Sequence, residues 1–200
     1  PSSTNQHNLQ DWSVAYPPSS KRYIAVNVVS LGRQEDAHEF LRYVVEGLQK
    51  ADIDGSEKKP ERIRQLVEAS QLFRTFGGKM KSSIECLSCH AKSEITEHFY
   101  DMSLDVAANA GMSAIKSVGD SLEAFFKVDL LSGDNRYRCE KCKKLSNAHK
   151  RFLFHKLPQV LTIQLKRFTN NLQKLDKTVR YEPAMNLTKY CDNQQKQVHY

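Results

Sequence analysis

The chain is expected to fold as an α+β protein, helical first and then mostly antiparallel β. Three observations carry that reading. A 3.6-residue apolar period runs through Gln34 to Lys50. Short alternating segments follow Gly77-Gly78, among them Leu161 to Phe168. Two Cys-x-x-Cys pairs, Cys86-Leu-Ser-Cys89 and Cys139-Glu-Lys-Cys142, sit at the turns between such segments. With 40% hydrophobic residues, nine Phe and eight Tyr, the chain has the material for a buried core.

The first 22 residues are rich in Ser, Asn, Gln and Pro and read as a flexible leader. Tyr23 to Ser30 is apolar enough for a strand or a helix, and composition does not choose between them. In the next segment Ala37, Phe40, Leu41, Val44, Val45 and Leu48 fall on one helical face, a stripe expected to be buried. Gly32 before it and the acids Glu35 and Asp36 suit a helix start. Pro60 opens a second helix that turns Ile63, Leu66 and Val67 inward. Met80 to Cys86 and Ser93 to Tyr100 form the two arms of a hairpin around the first cysteine turn. Asn109 to Gly119 reads as an irregular loop, and Ser121 as the cap of a short helix carrying Leu122, Phe125 and Phe126. Tyr137 and Arg138 lead into the second cysteine turn, and Ala148 to Phe154 leaves it as a strand. In Leu161 to Phe168 the residues Leu161, Ile163 and Leu165 alternate with Thr162, Gln164 and Lys166, a half-buried strand. Val179 and Tyr181 suggest one more.

Each Cys-x-x-Cys pair puts two sulfurs on one tight turn, and two such turns supply the four thiolates of a closed tetrahedral zinc site: Cys86, Cys89, Cys139 and Cys142. Such a site is structural, because it leaves no open position for an activated water. His90 is a possible competitor that a fourth thiolate makes unnecessary; four ordinary thiols are the alternative. No secretory h-region opens the sequence, so a reducing compartment, nucleus or cytoplasm, is expected, and metal is favoured over disulfides. Cys191, in a polar stretch, reads as a plain thiol. No stretch approaches the ~20 apolar residues of a membrane span. The net charge of +7 is spread over scattered Lys and Arg, with local clusters at Lys141, Lys143, Lys144 and at Lys150, Arg151, which does not point to nucleic acid as the main partner.

Three motifs in order then resemble the ubiquitin-specific proteases, the papain-like cysteine deubiquitinases. Gln34-Glu35-Asp36-Ala37-His38-Glu39-Phe40-Leu41 is similar to that family's Gln-x-Asp-Ala-x-Glu-Phe helix. The cysteine pairs, with Tyr137-Arg138 before the second, resemble its zinc fingers. Leu157-Pro158-x-Val160-Leu161 followed by Leu165-Lys166-Arg167-Phe168 resembles the strand returning to its palm. The resemblance covers roughly Gln34 to Tyr200. It implies an incomplete papain-like domain over 23–200: helical thumb part at 34–78, zinc fingers at 79–155 and palm strands at 156–200. It also implies ubiquitin and ubiquitinated proteins as partners, with Asp36 facing an arginine of the ubiquitin tail and Gln34 donating to tail backbone. Asp36 as a helix-start carboxylate without a ligand is the other reading. Phe40 and Phe168 are expected in the core.

The departures from the family pattern are chemical. Residues 1–33 hold no cysteine, and His199-Tyr200 follows Val198 where the family's His box has glycine. The nucleophile and base of a thiol protease are therefore expected to be missing, so that this chain alone does not cleave ubiquitin. Pro at position 1 agrees with a piece of a longer product. A non-catalytic ubiquitin-binding decoy is the first alternative, and a zinc-ribbon nucleic-acid binder the second.

Overall fold

A computed structural model of the chain describes residues 32, 35–53, 57–107, 115–168, 171 and 173–192. The expected leader, the Tyr23 to Ser30 segment, Gln34, His199 and Tyr200 lie outside the described residues, as does the first part, 109–114, of the expected Asn109 to Gly119 loop. The chain divides into two compact units, residues 1–72 and 73–200.

In the first unit, helix α1 runs Ala37–Asp52. Asp36 is its cap rather than part of its first turn: Oδ1 accepts from the backbone N–H groups of His38 at 2.7 Å and Glu39 at 3.3 Å. That supplies partners for two of the orphan donors at a helix start. Lys50 and Glu46 pair one turn apart at 2.6 Å near the other end. The expected stripe lies on one face, but α1 has no fully buried residue. Phe40 is 44% exposed and Leu41 and Tyr43 are exposed too, so Phe40 is not a core residue. Helix α2, Pro60–Ala69, starts on its proline as expected and buries Val67. A short helix α3, Gln71–Phe76, spans the boundary between the units in sequence.

The second unit is built on an antiparallel sheet. Strands β1 (Gly78–Cys86) and β2 (Lys92–Phe99) form the expected hairpin. Strand β3 is Met102–Asp105 and helix α4 is Val118–Phe126. Then follow β4 (Asp129–Leu131), β5 (Tyr137–Arg138), β6 (Leu145–Ser146), β7 (Ala148–Lys156) and β8 (Ile163–Lys166). The main sheet has the order β2-β1-β7-β4; β3 pairs with β8, and β5 with β6. Because β2 and β7 both run antiparallel to β1, they run parallel to each other. They continue into β3 and β8, which pair in parallel as a consequence. The chain enters the sheet at Gly77-Gly78 for a steric reason. A Cβ on Gly77 would meet the Phe73 ring, and one on Gly78 the Phe99 ring and the Lys156 carbonyl oxygen at 2.9 Å.

Strand alternation sends Met80, Phe99, Phe152 and Phe154 to one sheet face and Lys79, Lys81, Ser83 and Glu85 to the other. The apolar face joins α4, β3 and a short 3-10 turn at Thr188–Tyr190 in one core: Met102, Leu104, Val118, Leu122, Phe126, Phe154, Leu187 and Tyr190. Phe154 is fully buried; its ring lies 4.7 Å from that of Phe126, which stacks on Tyr190.

Three expectations are corrected here. Helix α4 is capped by Ser117, not Ser121: Ser117 Oγ accepts from the Asp120 N–H while the Asp120 carboxylate accepts from the Ser117 N–H. Ser121 is one turn in and buried, and its hydroxyl donates back to the Ser117 carbonyl at 3.3 Å. Val179 and Tyr181 form no strand; only a single bridge ties Arg180 to Ser117, and one bridge cannot hold a strand. Phe168 is 62% exposed because β8 ends at Lys166 and the chain reverses on a Phe168–Lys174 bridge, so Phe168 leaves the core.

Candidate metal centre

The first cysteine pair lies at the β1–β2 turn, with Cys86 the last residue of β1, and the second lies in the connection β5–β6. Both turns have the same construction. Cys86 N–H donates to the Ala91 carbonyl at 2.9 Å, and His90 N–H to the Cys86 carbonyl at 2.9 Å. In the second turn Cys139 N–H donates to Lys144 at 3.0 Å, and Lys143 N–H to Cys139 at 2.8 Å. The residue after each second cysteine, His90 and Lys143, is left-handed with φ of 56°. An L-residue there costs on the order of 1–2 kcal/mol, so the surroundings must over-determine both turns. The first turn is also tied to the β6–β7 link, since Leu87 N–H donates to the Asn147 carbonyl at 2.9 Å.

These two turns bring the four sulfurs Cys86, Cys89, Cys139 and Cys142 within 4.8 Å of one another. Cys89 and Cys139 Sγ are 3.6 Å apart and Cys86 and Cys142 Sγ 4.0 Å apart, and all four cysteines are free. A tetrahedron of zinc–sulfur bonds of about 2.3 Å has sulfur–sulfur edges of about 3.8 Å. Two of the sulfur–sulfur distances lie close to that edge and none exceeds 4.8 Å, so the cluster matches a tetrahedral site in size. The first cysteine of each pair is buried and the second half-buried, which closes the site on the core side.

The electrostatics suit a cation. Burial raises the Cys86 thiol, but the N–H groups of Ser88 and Cys89, the Ser146 hydroxyl and the Cys89 thiol bring it down to about 6. The Lys144 N–H lowers Cys142 against the opposing effect of burial. The Ala91 N–H lowers Cys89, yet burial and the other three sulfurs push it up to about 11. Hydrogen bonds from the turns thus favour thiolates, and gathering them in one place opposes ionising all of them; a soft divalent ion resolves that conflict. His90 takes no part: its side chain is 77% exposed and its Nδ1 lies 3.7 Å from Glu85. The supporting residues Ser88, Ser146 and Asn147 were not foreseen. The repeated six-residue pattern, Cys86 to Ala91 and Cys139 to Lys144, is the signal that finds the turn geometry.

Of the other expected site residues, Asp36 stands at the start of α1 with its carboxylate exposed, and Gln34 lies outside the described residues. Cys191 is far from the thiol cluster in sequence; its thiol donates to the Leu187 carbonyl at 3.4 Å. Burial, then the adjacent Asp192 carboxylate, raise its pKa. No helix among the described residues is long and apolar enough to cross a membrane.

Comparison with known proteins agrees with this geometry. Residues 17–200 match the family described as ubiquitin carboxyl-terminal hydrolase. The chain is 35% identical over 169 residues to ubiquitin carboxyl-terminal hydrolase 16 of Arabidopsis thaliana, covering 84% of this chain and 16% of that protein. It is 39% identical over 160 residues to ubiquitin carboxyl-terminal hydrolase 42 of Homo sapiens, covering 80% of this chain and 11% of that one. It spans well under two thirds of these relatives' length. Among solved structures, a chain of the SAGA DUB module of Ubp8, Sgf11, Sus1 and Sgf73 bound to monoubiquitin is similar with a TM-score of 0.66 and 29% identity, over 84% of this chain and 36% of that one. The same module bound to ubiquitin aldehyde gives a TM-score of 0.61 and 30% identity, over 82% and 34%. By its motifs, its mixed helix-and-sheet fold and this match over most of its length, the chain belongs to the ubiquitin carboxyl-terminal hydrolase family, among the ubiquitin-specific proteases.

Proposed function

We propose that this chain is the ubiquitin-recognition part of a ubiquitin-specific thiol protease, whose whole enzyme removes ubiquitin from proteins. The observation that carries the reading is the four-sulfur cluster at the ends of paired strands, in a chain similar to a module solved with monoubiquitin. Cys86, Cys89, Cys139 and Cys142 hold a structural zinc ion, which fixes the strand ends and does no chemistry on substrate. A reducing nuclear or cytoplasmic compartment keeps those thiols available. Gln34 and Asp36 bind the ubiquitin tail. Both cap bonds of Asp36 use Oδ1, which leaves its charge directed outward for a guanidinium.

The chain alone does not cleave ubiquitin. Four of its five cysteines belong to the cluster. The fifth, Cys191, is the reverse of an activated nucleophile, since its thiol is pushed up and spends its proton on a carbonyl. The test is direct. Zinc-loaded chain is titrated with ubiquitin by calorimetry and incubated with ubiquitin bearing a C-terminal electrophile. Binding without a covalent adduct is expected. An adduct that disappears in Cys191→Ala would overturn the inactive assignment, and absence of binding would overturn the recognition role.

A further inference from the structure

The charge of this chain is not evenly distributed. Between Gly133 and Arg151 stand seven Lys or Arg against two acids, a net of +5 out of +7 for the whole chain. The stretch comprises β5, the second cysteine turn, β6 and the start of β7. Arg136, Arg138, Lys141, Lys143, Lys144 and Arg151 are all exposed. Glu140 is paired locally, with its carboxylate 3.0 Å from Lys143 Nζ. Lys141, Lys144 and Arg151 pair with no carboxylate among the described residues. Across the metal centre the first cysteine turn is different, because Lys92 and His90 both lie near Glu85. The excess charge therefore belongs to the second turn and the strands that flank it.

We infer that this end of the sheet is a docking surface for the phosphate backbone of duplex DNA, additional to the proposed ubiquitin-binding role. The charge complementarity is that of a polyanion with regularly spaced charges, met by point-like ammonium and guanidinium groups on short rigid turns. Duplex is favoured over single strands by what the surface lacks. Single-strand binders offer exposed aromatic rings for base stacking. The exposed large apolar residues here, Leu130 and Leu145, are aliphatic, and Tyr137 is only partly exposed. Among the described residues, the stretch from Gly133 to Arg151 holds no α-helix to read base edges, so the contact is independent of sequence. A duller function exists for the lysines, which is to balance the negative charge of four thiolates around an ion; zinc content separates the two.

The experiment measures fluorescence anisotropy of a labelled 24-base-pair duplex with zinc-loaded chain between 50 and 200 mM NaCl. With three to five phosphates neutralised, log K should fall against log salt with a slope of about −3 to −4.5. The triple variant Lys141→Gln, Lys144→Gln, Arg151→Gln should bind at least ~10-fold more weakly at 50 mM and flatten the slope by about 3, with zinc content unchanged. A control set, Lys58→Gln, Arg62→Gln, Arg64→Gln, removes the same charge from α2 and the segment just before it and should leave binding as it was. Equal loss from both sets, a slope shallower than −1, tighter binding to single-stranded RNA, or equally tight binding to polyglutamate would each overturn the inference. So would loss of zinc from the tip variant with its DNA affinity intact. Ubiquitin titration of the tip variant is expected to match the parent chain, so the two proposals fail separately.

Discussion

Asp36 has two duties that substitution can separate. As N-cap it holds the first turn of α1, and as an exposed charge it is proposed to meet an arginine of ubiquitin. Asparagine caps almost as well as aspartate, so Asp36→Asn should leave the melting temperature nearly unchanged while weakening ubiquitin binding by about 1.5–3 kcal/mol. Asp36→Ala should in addition cost about 1 kcal/mol of stability. Thermal melts beside calorimetry decide it: equal ubiquitin affinity for parent and Asp36→Asn would leave only the cap. Cys191 offers a second residue-level test. Burial and Asp192 favour its neutral form, so alkylation by iodoacetamide at pH 8 should be slower than for an unfolded thiol. The contribution to stability is fully present below the unfolded thiol value, about 8.5, and is lost as pH rises through the higher folded one, because the unfolded chain releases the proton first. A Cys191→Ala variant should flatten that alkaline decline.

At the scale of elements, the parallel pair β3–β8 depends on the pairing of β1 with β2 and β7, and Phe154 is where those layers meet. Phe154→Ala should cost about 3–5 kcal/mol by urea unfolding, more than Phe152→Ala, whose side chain is only partly buried. A cost under 1 kcal/mol would mean the core can collapse around the gap. The elements legible in the sequence were those with a local cause: the α1 period, Pro60 before α2, the hairpin around Cys86 and the strand at Ile163. Those misread depended on distant packing. Ser121 and Ser117 are equally good caps in isolation, and only the position of Asp120 three residues after Ser117 decides between them. Phe40 and Phe168 are apolar enough for any core, but burial depends on a covering surface, which a one-dimensional pattern does not contain. The four sulfurs were legible because metal-ligand spacing is itself local; the matched left-handed residues His90 and Lys143 were not, since neither is a glycine.

For the whole molecule, the metal centre is proposed to carry energy on the scale of the fold itself, since structural zinc sites bind with about 10–16 kcal/mol of apparent free energy against a typical domain stability of about 5–15 kcal/mol. Purified chain should hold one zinc, read by elemental analysis, and Cys86→Ser should lose both the ion and soluble protein. Folded, metal-free chain would contradict this. Comparison of the exchange of β1 and β7 amides with and without chelator would show how far from the ion the effect extends. A bound ion also changes the connectivity of the polypeptide. Cys89 and Cys139 would become the two ends of a closed ring that contains β2, β3 and α4. A protease cut anywhere around that ring would not release a piece: both halves would migrate together until a chelator opened the clasp, and the moment of separation on a native gel would report the lifetime of the metal bond.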